Sequence, residues 1–91
     1  MADKTIEADF TVTNELGLHF RAAAMVVRTV TDFKAEIRIS NGETEADARS
    51  VLDLMTLAAS RGTTLHVTAK GVDAEKAIES LGALIGRNFA E

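Results

Sequence analysis

The sequence predicts an α+β fold, an open-faced sandwich in which a four-stranded antiparallel sheet carries three helices on one face. Three observations lead there. Several stretches alternate apolar and polar residues, so each strand has one wet face and the sheet can be covered on one side only. Between them lie stretches whose apolar residues recur at three and four, the spacing of amphipathic helices. An Asn-Gly pair also separates two extended stretches, as in an antiparallel hairpin.

In chain order, Ile6, Ala8, Phe10 and Val12 alternate with Thr5, Glu7, Asp9, Thr11 and Thr13, which marks the first strand. Ala23, Val26, Val27, Val30 and Phe33 follow at helical spacing. Ala35, Ile37 and Ile39 alternate again, and Asn41-Gly42 is read as a type I′ turn into a short return strand over 43–46. Ser50, with Asp53 three residues on, has the form of a capping box opening a short helix that runs toward Arg61-Gly62. Leu65, Val67 and Ala69 make the last strand. Asp73 caps a final helix with the stripe Ala74, Ala77, Ile78, Leu81, Leu84 and Ile85. The order is βαββαβα, with no internal repeat and no proline.

Composition narrows the function classes. Ninety-one residues, 46% of them hydrophobic, suit one domain over residues 1–91 with a core of Val, Ile, Leu, Ala and Met, since Phe, used four times, is the only aromatic type. With no cysteine and two histidines there is no disulfide, no thiol nucleophile and no adequate ligand set for a metal, and no cofactor is expected. The net charge of −4 and the scattered Lys and Arg argue against nucleic acid. The start, "MADKTIEADF", has no apolar leader and no stretch reaches the length of a membrane span, so the expectation is a cytoplasmic monomer without membrane insertion.

The stretch "ELGLHFRAAAMVVR" carries the chemistry. His19 falls at or near the N-cap of the first helix, where the backbone N–H groups of Phe20 and Arg21 have no helical acceptor. Those donors and the helix dipole favour an anion, and Arg21 adds a guanidinium fork. A neutral imidazole is also a nucleophile toward phosphorus. Nothing else at the site could drive a reaction: there is no carboxylate pair, metal cluster or Ser-His-Asp set. A phosphoryl carrier fits better than an enzyme. An ordinary capping histidine and a domain that senses an anion without covalent chemistry fit the same residues. His66 lies on the wet phase of its strand and reads as a surface residue.

A docking face is also legible. On the short helix, Val51, Leu52, Leu54, Met55, Leu57 and Ala58 cover more of the circumference than one sheet contact can bury. The surplus, Val51, Leu52 and Met55 with Phe20 and Ala24 beside His19, is expected as an exposed apolar patch that binds partners. Arg28 and Arg49 lie near these features and could give it a cationic border.

These residues resemble the HPr phosphocarriers of the bacterial phosphoenolpyruvate-dependent phosphotransferase system. The resemblance covers essentially the whole chain and rests on "GLHFRAAA" at 17–24, "ARSVLDLMTLAASRGT" at 48–63 and "GVDAEKAIESL" at 71–81. It implies that His19 accepts a phosphoryl group on Nδ1 from Enzyme I and passes it to enzyme IIA domains, with Arg21 steadying the group. Ser50 matches the family's regulatory serine, a substrate of the HPr kinase/phosphorylase in many bacteria. The chain departs from the family pattern at three positions. Ala22 stands where proline is usual, Phe20 where a small residue is usual, and Asp53 where some relatives carry a basic or neutral residue. A regulatory paralogue, of the nitrogen-linked branch or centred on Ser50, is the nearest alternative.

Overall fold

The computed structural model describes residues 4–90. Strands β1 (Thr5–Thr11), β2 (Glu36–Ser40), β3 (Glu45–Asp47) and β4 (Thr64–Lys70) form one sheet in the order β1-β4-β2-β3, and every neighbouring pair is antiparallel. Helices α1 (Phe20–Thr31), α2 (Val51–Met55) and α3 (Ala74–Gly86) complete the expected order, followed by a short 3₁₀ turn over Asn88–Ala90.

Register explains why one sheet face is covered. Ile6 opposes Ala69, Ala8 opposes Val67 and Phe10 opposes Leu65 across β1 and β4. On the other side of β4, Ile37 and Ile39 oppose the same Ala69 and Val67, and Ile39 also opposes Ala46 of β3. These side chains therefore share a face; Ile37, Ile39, Ala46, Leu65, Val67 and Ala69, together with Ala23, Val26 and Val30 of α1, Leu54 of α2 and Leu81 and Leu84 of α3, belong to the core, and Ile6 and Phe10 pack against it half-buried. The other sheet face carries Glu7, Asp9, Arg38, His66 and Thr68 and meets water.

The structure corrects several boundaries. The Asn41-Gly42 turn is shifted by one residue: Gly42 alone has a positive φ, +98°, and the central pair is Gly42-Glu43, the sign pattern of a II′ turn and not of I′. The reason is the Asn41 side chain, whose Oδ1 accepts from the backbone nitrogens of Glu43 (2.9 Å) and Thr44 (2.8 Å) and so fixes Asn41 as the residue before the turn. The return strand accordingly starts at Glu45.

Helix α2 is five residues long and stops well before Arg61. Past Met55 the backbone tightens into i→i+3 bonds, Leu57 N to Leu54 O and Ala58 N to Met55 O, and at Ala58 φ reaches +46°, which ends the helix. Ser50 does cap α2, its Oγ accepting from Asp53 N at 3.1 Å, but the reciprocal half of the box is missing because the Asp53 carboxylate accepts from Asp47 N at 3.2 Å. Asp73 occupies the N-cap of α3 without a side-chain cap, since its carboxylate accepts from Lys34 N at 2.8 Å.

Candidate functional site

The loop before α1 is built around Asn14 and Gly17. Asn14 is buried and donates from Nδ2 to Gly17 O at 2.9 Å, closing a tight turn in which Gly17 N also donates to Asn14 O. Gly17 has φ +68°, and a Cβ there would lie 2.5 Å from Ala59 O and 2.9 Å from Ser60 Cα. Leu18 N then donates to Ala59 O at 2.8 Å, and Val12 exchanges backbone bonds with Thr63 and Gly62. The segment between α2 and β4 thus presses the loop into place and fixes the angle at which the chain enters α1.

His19 is the N-cap of α1, with extended backbone at φ −81° and ψ 179°. Its half-buried ring turns back onto the helix, and Nδ1 accepts from Ala22 N at 3.5 Å. The N–H groups of Phe20 and Arg21 have no partner among the described residues, as the sequence led one to expect. No acidic residue stands in the first turn of α1, whereas α2 has Asp53 and α3 has Glu75 there. Of the three helix starts, the one beside His19 is therefore the one where no carboxylate competes for the positive end of the dipole. Arg21, two residues on, is exposed in the same first turn.

The remaining candidates separate into two groups. Phe20 (67% exposed) sits at the first helical position, Ala24 is half-buried one turn on, and Leu52 (81%) and Met55 lie exposed on α2, which packs against α1. Val51 is half-buried against the core, so it contributes less exposed surface than its place in the pattern suggested. Arg28 is exposed in the last turn of α1, about 12 Å along the axis from Phe20 at 1.5 Å per residue. Arg49 lies at that far end too, its guanidinium donating to the carbonyls of Val30, Phe33 and Ala35. Ser50 follows Arg49, whereas Ala59 just past α2 touches Leu18. Arg49, just before α2, thus reaches the end of α1, while the segment past α2 meets the loop before its start.

Sequence reasoning missed Leu16, which is 70% exposed in the loop before His19. An unpaired apolar residue in a turn was the available signal. It also missed Asn14, for which Asn three residues before Gly was the cue. Among the described residues no cluster of three His, Cys, Asp or Glu could hold a metal ion, and no helix is long and apolar enough to cross a membrane.

Comparison with known proteins agrees with this geometry. Residues 6–87 match the family model described as the PTS HPr component phosphorylation site. The chain is 40% identical over 86 residues to the phosphocarrier protein HPr of Xylella fastidiosa, covering 94% of this chain and 97% of that one. It is 41% identical over 86 residues to the phosphocarrier protein NPr of Shewanella violacea, covering 94% of each. Among solved structures, HPr-C-His from Thermoanaerobacter tengcongensis superposes with a TM-score of 0.89 at 34% identity, over 94% of this chain and 97% of that one. Sheet order, helix placement and relatives of near-equal length converge, and the chain belongs to the HPr family of phosphocarrier proteins of the phosphotransferase system.

Proposed function

We propose that His19 is the residue that carries the phosphoryl group, receiving it on Nδ1 from Enzyme I, which draws it from phosphoenolpyruvate, and handing it to enzyme IIA domains in the cytoplasm. The observation that carries this reading is the Nδ1 lone pair turned onto the start of α1, in the one first turn that holds no carboxylate. The arriving group meets the Phe20 and Arg21 N–H donors, and the Arg21 guanidinium balances its charge during transfer. In the transfer the Nδ1–P bond forms as the donor's bond to phosphorus breaks and returns its electron pair to the donor. The reverse sequence loads the acceptor. Such a site stabilises a charged group without hydrolysing it, which suits a carrier. Intact-mass analysis after incubation with phosphoenolpyruvate and Enzyme I tests it. Wild type should gain one acid-labile phosphate and His19→Ala none; an unmodified wild type beside a phosphorylated HPr control would refute it.

The exposed side chains Leu16, Phe20, Leu52 and Met55 supply the docking face in this reading, with Ala24 and Val51 beneath it. Arg28 borders its far end. Ser50, at that end of α2, is the regulatory position, open to an HPr kinase/phosphorylase. A dianion there acts on docking and not on His19 directly, and Asp53 one turn in opposes it by charge. A nitrogen-linked role is the second reading, supported by the NPr relative, which is as similar as the HPr one.

A further inference from the structure

We propose that the backbone N–H of Ala22 is a positioning donor for His19: at rest it holds the Nδ1 lone pair toward the helix start, and after transfer it becomes a third backbone donor to the phosphoryl oxygens. This rests on the reading of His19 as the phosphoryl acceptor. Ala22 is the third residue of α1, so its N–H has no intrahelical acceptor. It is also fully buried, so water does not compete for it, and the imidazole is the acceptor it meets.

A backbone nitrogen can only donate, so the bond from Ala22 N requires the lone pair on Nδ1 and the ring proton on Nε2. That is the tautomer in which Nδ1 can attack phosphorus. At 3.5 Å the bond is long and weak, enough to aim the ring but readily surrendered. As Nδ1 forms its bond to phosphorus, the donor's bond breaks and takes its electron pair, and the proton on Nε2 stays in place. The Ala22 N–H can no longer be accepted by Nδ1 and lies within reach of an oxygen of the group that nitrogen now bears. A proline at this position would have no N–H to give.

The test compares wild type, Ala22→Pro, which deletes the donor, and Ala22→Gly, which keeps it. Ring ¹⁵N shifts report the tautomer, and the decay of the phosphorylated protein after removal of Enzyme I reports the third donor. Ala22→Pro should lower the Nε2–H share and shorten the phosphohistidine lifetime about fivefold, the scale of one net hydrogen bond; Ala22→Gly should retain both. In phosphorylated wild type, which needs no variant to fold, the Ala22 amide proton should show a through-hydrogen-bond coupling to ³¹P. A missing coupling, or Pro and Gly variants that behave alike, overturns the proposal while leaving His19 as acceptor. A wild type that takes no phosphate beside an HPr control that does overturns both.

Discussion

His66 stands on the water side of the sheet between two carboxylates, with Nδ1 2.5 Å from Asp9 Oδ1 and Nε2 2.8 Å from Glu7 Oε1. Those hydrogen bonds, Asp9's first and Glu7's second, raise its pKa above the ordinary value of 6.5, against a smaller opposing effect of desolvation. Because the folded state holds the proton more tightly than the unfolded chain, the stabilisation is complete below about pH 6.5 and is lost as pH rises through the raised value. Urea melts of wild type and His66→Gln across pH 5.5 to 8.5 should therefore converge as pH rises; parallel curves would show that the pair does not matter. Alternation in the sequence placed His66 on the correct face. It could not supply the partners, because Asp9 comes opposite His66 only through the β1–β4 register, across 57 residues. Gly17 is similar: its position in "LGLHF" was visible, whereas the Ala59 carbonyl that forbids a side chain there was not.

Among the elements, α1 owes its clean ending to a residue from elsewhere in the chain. Arg49 donates from Nη1 to Ala35 O at 2.7 Å and from Nη2 to Phe33 O at 2.6 Å and Val30 O at 3.2 Å, satisfying carbonyls in and beyond the last turn of the helix, where a cation is also favoured by the dipole. Arg49→Ala should cost about 1 to 2 kcal/mol in chemical denaturation while His19 is phosphorylated at an unchanged rate. A loss of transfer without a loss of stability would instead return Arg49 to the docking face, where its neighbourhood to Ser50 in sequence had suggested it belonged. Existence and order of the helices were legible from spacing and caps. The end of α2 was not, because the apolar pattern continues through Ala58 while the backbone leaves the helix to meet the loop before His19. The caps at Asp53 and Asp73 were misread for the same kind of reason. Each carboxylate finds a better-placed donor in Asp47 N or Lys34 N, contacts that only the folded chain creates.

For the molecule as a whole, the division between core and docking face can be tested on two leucines of one short helix. Leu54 is fully buried and Leu52 is 81% exposed. Leu54→Ala should destabilise the fold by about 2 to 5 kcal/mol. Leu52→Asp should shift stability by no more than about 0.5 kcal/mol, yet weaken binding to Enzyme I about tenfold or more in calorimetric titration. If Leu52→Asp bound normally, the exposed side chains would not be the docking face. The one-sided sheet follows from half-polar strands and was readable without the structure, but the strand order was not, since several orders bury the same faces. That order, β1-β4-β2-β3, joins the first strand to the last, and Leu18 leans on Ala59 in the same way. During synthesis, then, the ribosome releases the whole stretch containing His19 long before its scaffold exists. A chain that ends before Ala59 carries "GLHFR" but lacks the backbone that shapes it, so the loop before α1 takes its form only once the segment past α2 and the strand at 64–70 have docked.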